Sequence, residues 1–273
     1  MKLAFSTNAF KDYTLVAAIE EIKKIGYGGV EILCDIPHAY PPSFGNDQLE
    51  RTLKTLSSCN MPISNLNAFT LYAIGDVHHP SWIENDLHDR QARIQHTIDC
   101  LRLARKLGAK NISTEPGGPV PAPGDLPAIS KLFLSGVMTA AEVAEKEGVK
   151  LLIEPEPELL LENSSQFRQF MKSVDSDFVK LNFDIGHFYC VGEDPAELVY
   201  ELADYIEHFH LADIAPSRVH NHLIPGKGAI DFRKVIDAID GIGYKGFVTV
   251  ELYPYRENPS LAAQQAYDYL NSI

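Results

Sequence analysis

Four segments of the chain share one design: "IKKIGYGGVEI" (22–32), "ARKLGAKNIST" (104–114), "AEKEGVKLLIE" (144–154) and "IDGIGYKGFVTVE" (239–251). Each runs a charged helix end into a glycine and then into a short β-favouring run. Glycine supplies the left-handed residue that ends a helix, and a nearby Lys or Arg suits the negative end of the helix dipole. Gly26, Gly108, Gly148 and Gly243 are therefore predicted to be turns from helix to strand. Filling the intervals predicts strands near 2–7, 29–34, 62–68, 110–115, 149–154, 178–184, 206–211 and 246–252. Between them lie amphipathic stretches such as "RIQHTIDCLRLARKLG", where Ile94, Ile98, Leu101 and Leu107 fall at helical spacing. "NPSLAAQQAYDYLNSI" is expected to close the chain as a helix.

Eight strands alternating with eight helices predict a parallel sheet. Spread over 273 residues, that is about 34 per unit, the scale of a closed α/β barrel. No glycine-rich dinucleotide fingerprint follows an early strand, which argues against a doubly wound sheet. The expectation is an α/β chain folded as one (β/α)8 TIM barrel over residues 1–273. The Pro-rich stretch "EPGGPVPAPGDLP" (115–127) follows the fourth strand, which makes it a loop on the functional face rather than a hinge between domains.

The strand ends carry the chemistry. "LNFDIGHFY" (181–189) starts as a buried strand and then reaches Asp184, with His187 three residues on. A buried carboxylate is costly unless something pairs with it. Strand five ends at Glu154, strand seven carries His208 and His210 on one face, and strand eight ends at Glu251. Four successive strands thus bring Glu, Asp, His and Glu to one barrel mouth, where active sites of this architecture are built. Three carboxylates and an imidazole converging there repel one another unless a cation sits among them. Hard oxygen ligands with one His suit Mn2+ first, with Mg2+, Co2+ or Zn2+ as further fits. His187 and His222 are candidates as extra ligands or substrate contacts, and His220 reads as loop surface. Glu115 ends strand four and is expected to reach the mouth. Trp82, Phe69 and Tyr72 lie in the third βα loop, as packing or as a roof over a sugar ring. "IPGKGAIDF" (224–232) reads equally as a phosphate-gripping loop or as a turn with Asp231 capping a helix.

Net charge is −13, with 24 Lys and Arg showing no cluster, which argues against nucleic acid as a partner. No stretch reads as long and apolar enough to span a bilayer. The opening "MKLAFSTNAF" lacks the apolar region of a signal peptide and reads as a first strand. Cys34, Cys59, Cys100 and Cys190 show no paired or metal-type spacing, so reduced thiols and a cytoplasmic location are expected.

The ordered set "GYGGVEI", "RKLGAKNI", "LIEPEP", "FDIGH", "HFHLAD", "PGKGAIDF" and "VTVELY" resembles the xylose isomerase-like sugar phosphate isomerase/epimerase superfamily over essentially the whole chain. The resemblance implies one divalent metal ion held by Glu154, Asp184, His210 and Glu251, with His187 facing the substrate. It further implies Glu154 and Glu251 as the acid/base pair and Arg218 as a substrate-contacting arginine. The ketose 3-epimerases of the superfamily place a further glutamate where this chain has Leu160, with Glu156 and Glu158 nearby. The implied activity is a metal-dependent sugar isomerase or epimerase, acting on free sugars, sugar phosphates or inososes by proton abstraction beside a carbonyl through a metal-stabilised enediolate. The alternatives are an inosose- or dehydroshikimate-type dehydratase and a non-catalytic sugar-binding barrel. An endonuclease IV-like nuclease is disfavoured, because strands three and four offer no histidine. The expected partners are a small-molecule sugar or polyol and, as an option, further copies of the chain; neither nucleic acid nor membrane is expected.

Overall fold

The computed structural model describes residues 1–121 and 124–273, so positions 122 and 123 of the Pro-rich loop lie outside the described residues. Eight parallel strands close on themselves in chain order: β1 Lys2–Ser6, β2 Gly29–Leu33, β3 Ile63–Asn67, β4 Asn111–Thr114, β5 Lys150–Ile153, β6 Val179–Asp184, β7 Ile206–Leu211 and β8 Phe247–Val250. The seam is the pairing of β1 with β8, from Lys2 opposite Phe247 to Phe5 opposite Val250. Each strand lies within two residues of its predicted bounds, and the chain is one TIM barrel domain. The four repeat glycines have positive φ, at 123°, 81°, 66° and 70° for Gly26, Gly108, Gly148 and Gly243. Those angles are the ones a side chain resists, so the repeat marked true turns.

Outside the strands run α1 Leu15–Ile25, α2 Asn46–Ser58, α3 Leu87–Leu107, α4 Leu126–Glu147, α5 Ser164–Met171, α6 Ile185–Cys190, α7 Pro195–Glu201, α8 Phe232–Gly241 and α9 Pro259–Ser272. The described residues hold nine α-helices rather than eight, because the crossover from β6 to β7 breaks in two. Gly192 turns there with φ 92°. Asp194 then caps a new helix through the Ala196 N–H, with Pro195 in its first turn, which is the residue order that starts helices.

α4 corrects a second expectation. By length and mean hydropathy it is apolar enough to cross a membrane. Its Phe133, Val137, Ala140 and Ala144 are buried in the core, and the Phe133 ring meets Trp82 and Phe170 at 6.1 and 4.8 Å between centroids. The apolar stripe is spent on barrel packing.

The barrel interior is unusually polar. Glu31, Asn65, Ser113, Asn182, His208 and Thr249 are buried and bonded to one another or to the layer above. Asn65 Nδ2 donates to Glu31 at 2.8 Å and to Ser113 Oγ at 2.9 Å. His208 is held between Asn182 Oδ1 and Thr249 Oγ1, both at 2.7 Å. A satisfied polar network of this kind rigidifies what stands on it.

Candidate metal centre and active site

The C-terminal ends of the strands open into a cavity of about 320 Å3, walled in part by Glu154, Glu156, His187, His220, Glu251 and Tyr253. On its inner side Glu154, Asp184, His210 and Glu251 each offer one ligand atom, all within 4.8 Å of one another. His210 Nδ1 lies 2.7 Å from Glu154 Oε1, 3.7 Å from Glu251 Oε2 and 4.0 Å from Asp184 Oδ2. The strand ends predicted from sequence are therefore brought to one point, and His210 rather than His208 is the imidazole among them.

Asp184 answers the cost of its own burial in two parts. Oδ1 caps α6 by accepting the His187 N–H at 2.8 Å. Oδ2 is buried with no hydrogen-bond partner, as is Glu154 Oε2. Two orphaned carboxylate oxygens beside an imidazole nitrogen are acceptors without a donor, a vacancy in bonding that a divalent cation satisfies. The donor set fits such an ion.

The charges are arranged around His210. Burial alone pushes its imidazolium down, but Glu154, Glu31 and Glu251 together raise it well above the ordinary histidine value. Glu31, on β2, accepts from Nε2 at 2.6 Å. Burial would push the Glu31 carboxyl up, yet His210 holds it at about 2. This places Nε2–H on Glu31 and turns Nδ1 toward the ligand cluster, the carboxylate–histidine arrangement that orients a metal-binding imidazole. Burial likewise opposes ionisation of Asp184, and the imidazoles of His187, His222 and His210 outweigh it, leaving it at about 2. Glu251 goes the other way. Burial first, then Glu154, Glu31 and Asp184 over the opposing pull of His210, push it up to about 8. Asn8 and Asn67 both donate Nδ2–H to its Oε1, at 2.8 and 2.9 Å, which fixes the carboxyl and aims Oε2 at the cluster. Glu156 is raised by burial and then by Glu154 and Glu251.

The expected substrate contacts divide. His187 lines the cavity, with Nδ1 on the Pro155 carbonyl at 2.9 Å and Nε2 left for a ligand. His222 is buried and does not line the cavity; its Nδ1 bonds the Glu251 carbonyl at 2.9 Å. His220, expected on the loop surface, is instead a cavity residue, 3.3 Å from His222 through the Nε2 atoms and edge-on to His187 at 4.6 Å. Glu115 does not reach the cavity. It is fully buried 3.8 Å from Arg93 and accepts the Trp82 N–H at 3.1 Å, with burial opposed by Arg93 leaving it at about 7. Arg218 is also turned away: its guanidinium stacks on Tyr189 at 4.6 Å, donates to that residue's carbonyl at 3.0 Å, and lines a separate cleft with Gly192 and Lys234.

Two loop questions resolve by hydrogen bonding. Trp82 is buried and donates Nε1–H to Thr114 Oγ1 at 3.2 Å, so it packs, while Phe69 and Tyr72 face the cavity. The N–H groups of Gly226 and Gly228 are consumed by Asp213 Oδ2 at 2.9 and 2.7 Å, and Asp231 caps α8 through the Lys234 N–H at 3.3 Å. The Gly-rich loop therefore has its donors turned inward rather than toward a phosphate. Sequence reasoning missed Glu31, Asn8, Asn67 and Lys11. Glu31 carried a usable signal, a lone acid inside the apolar run "GVEILC"; the two asparagines carried none, because only the closed barrel brings β1 and β3 to Glu251.

With that geometry in place, similarity to known proteins is informative. Residues 19–273 match the family model described as xylose isomerase-like TIM barrel. The chain belongs to the xylose isomerase-like TIM barrel family. Among its relatives, the fructoselysine 3-epimerase of Escherichia coli O157:H7 is 24% identical, with 100% of this chain and 98% of that one covered. The inosose dehydratase of Lacticaseibacillus casei is 28% identical over 156 residues, 50% of this chain and 52% of that one. The chain thus spans about half the length of the inosose dehydratases it matches. The crystal structure of the IOLI protein with a binding zinc atom shares the fold at TM-score 0.81 and 21% identity, covering 100% of this chain and 97% of that one.

Proposed function

We propose that this family member is a divalent-metal-dependent sugar isomerase or epimerase that removes a proton from the carbon beside a carbonyl. The observation that carries the reading is the pair of carboxyls Glu154 and Glu251, brought by β5 and β8 to one cavity and sharing one cluster of ligand atoms. A module that only bound sugars would need rings and hydrogen-bonding groups, not two buried acids whose charges oppose each other.

A divalent ion held by Glu154, Asp184, His210 and Glu251 would supply Lewis acidity, drawing charge from the carbonyl and its neighbouring hydroxyl as the C–H proton leaves. The remaining work falls to the chain. Glu154 and Glu251 reach the cavity from different strands, so one takes the proton on a carboxylate oxygen and the other, when protonated, returns one. Return from the opposite face inverts the carbon, which is epimerisation; return to the adjacent carbon is isomerisation. Asn8 and Asn67 keep the Glu251 carboxyl in one orientation, and Glu31 keeps the His210 ring in one orientation. His187 offers Nε2 to a substrate oxygen, while Phe69, Tyr72 and Tyr253 offer aromatic surface to the sugar along the cavity wall. The likeness to a 3-epimerase over the whole chain supports this reading. The partial likeness to inosose dehydratases favours a second outcome from the same first step, loss of a β-hydroxyl as water. A cytoplasmic site of action and Mn2+ as the native ion are part of the proposal.

The test is solvent exchange. The protein loaded with Mn2+ is incubated in D2O with ketoses, ketose phosphates and inososes, and carbon-bound deuterium is read by NMR. Deuterium beside the carbonyl in any substrate, dependent on metal, supports the reading, and an accompanying enone absorbance marks the dehydratase branch. Binding without exchange across the panel overturns it in favour of a binding module.

A further inference from the structure

We propose that the substrate carries an anionic group, a phosphate or a carboxylate, at the end remote from the reacting carbon, and that the Lys11 ammonium receives it while Asn8 Oδ1 accepts a hydroxyl in between. This rests on the reading above and names the substrate class for that site.

Asn8 and Lys11 stand three residues apart on the turn that follows β1, and both line the cavity. The acids Glu154 and Glu251 lie at its buried inner end, whereas Lys11 is partly exposed beside Tyr72, which is 43% exposed and marks the rim. Lys11 is the one Lys or Arg among the cavity-lining residues described. Its Nζ lies 4.7 Å over the Tyr72 ring, a contact that holds an ammonium in place without neutralising it. No described carboxylate forms an ion pair with it, although Asp12 is next in sequence and Asp35 and Glu251 are near enough to favour its charge. Asp12 is taken by a two-pronged contact with Arg256, at 2.8 and 2.5 Å. Asp35 accepts from the Thr70 hydroxyl at 2.9 Å and from the N–H groups of Ile36, Tyr72 and Ala73 at 2.7, 2.5 and 3.1 Å. Asp12 and Asp35 are occupied and Glu251 Oε1 is held by Asn8 and Asn67, so Lys11 has no direct carboxylate partner in a chain whose net charge is −13. Burial depresses the ammonium, Asp35 and Glu251 relieve this in part, and Arg256 adds to it. A ligand anion supplies the missing partner.

Asn8 gives the second, independent mark of a ligand. It is 6% exposed, its Nδ2 is committed to Glu251, and its Oδ1 is buried with no partner. An orphaned acceptor on a cavity wall is satisfied by a donor from the ligand, and a sugar hydroxyl is such a donor. Carbonyl end at the acids, hydroxyl at Asn8 and anion at Lys11 give the ligand a direction.

The experiment compares matched ligands on the Mn2+-loaded protein: fructose against fructose 6-phosphate, and fructose against 5-ketogluconate, with affinity read by calorimetry and C–H exchange read in D2O. Wild type, Lys11→Gln and Lys11→Arg are measured side by side. The expected result is at least about tenfold tighter binding of one anionic ligand than of fructose. Lys11→Gln should weaken binding of the anionic ligand far more than binding of fructose and so remove that preference, and Lys11→Arg should restore most of it. A preference for the phosphate alone or for the ketogluconate alone identifies which anion is taken. Equal preference in wild type and Lys11→Gln, or no anion preference at all, overturns the inference. Metal-dependent exchange without anion preference overturns it while leaving the isomerase reading standing. A Lys11-dependent preference with no exchange in any ligand overturns the isomerase reading instead.

Discussion

Asp184 caps α6 with one oxygen and, in the proposed site, offers the other to a metal ion, and substitutions separate the two roles. Asp184→Asn keeps an acceptor for the His187 N–H and removes the ligand charge. Its metal content, measured by elemental analysis, should fall well below the wild-type stoichiometry while the urea midpoint barely moves. Asp184→Ala loses the helix cap as well, at a further cost of about 1 kcal/mol. Wild-type metal content in both variants would remove Asp184 from the ligand set. Glu251→Gln tests the acid/base role when metal content is measured alongside turnover, because Gln Oε1 still accepts from Asn8 and Asn67 while a ligand charge is lost. Turnover on the substrate found by exchange should drop at least about a hundredfold, the scale of losing a general acid or base. A loss under threefold would take Glu251 out of the proton transfer.

The β7–α8 loop shows how an element is held by one buried side chain. Asp213, 1% exposed, accepts the N–H groups of Ile214, Gly226, Gly228 and Ile230 at 2.9, 2.9, 2.7 and 3.1 Å. Asp213→Ala leaves these donors without a partner, at roughly 1–3 kcal/mol for each that water cannot reach. We expect a loss of at least about 3 kcal/mol in urea unfolding. Gly228→Ala should be comparably harmful, since a Cβ there would meet Asp213 Oδ1 and the Ile214 carbonyl at 2.3 Å. Wild-type stability of Asp213→Ala would mean that the loop bonds elsewhere. A similar staple fixes the β3–α3 loop: fully buried Arg93 donates to the carbonyls of Pro80 and Phe69 at 2.8 and 2.9 Å, and this loop carries Phe69 and Tyr72 to the cavity.

At the scale of the whole molecule, histidines remote from the Glu154, Asp184, His210 and Glu251 cluster make a contribution to stability that acid removes. Burial depresses His38 to about 4 and, with Arg93 adding to burial, His96 to about 3, from an ordinary 6.5. The unfolded chain therefore binds more protons than the folded one between these values. Their contribution to stability is complete above pH 6.5 and is lost as pH falls toward 4 and then 3. From His38 it amounts to roughly 3 kcal/mol. Between pH 7 and pH 4 the free energy of unfolding measured by urea should fall more, or rise less, in wild type than in His96→Leu. An unchanged slope in that variant would exclude His96 as a cause.

The glycine-terminated repeat in four units, with the intervals between them filled by apolar periodicity, was enough to predict eight strands and a closed barrel, because helix ends and strand periodicity are local. Strand ends at Glu154, Asp184, His210 and Glu251 were legible for the same reason: in a barrel, position along a strand is position in space. What local pattern could not decide was which way a loop side chain turns. Arg218 lies flat on Tyr189, and Glu115 is drawn to Arg93 beneath the third βα loop, two contacts between residues 29 and 22 positions apart. The support of Glu251 by Asn8 and Asn67, across 243 and 184 residues, exists only once β1 pairs with β8. Tertiary structure decided those roles because a buried polar atom takes whichever partner packing brings within about 3 Å, and that partner is set by closure of the whole sheet rather than by neighbours in the chain.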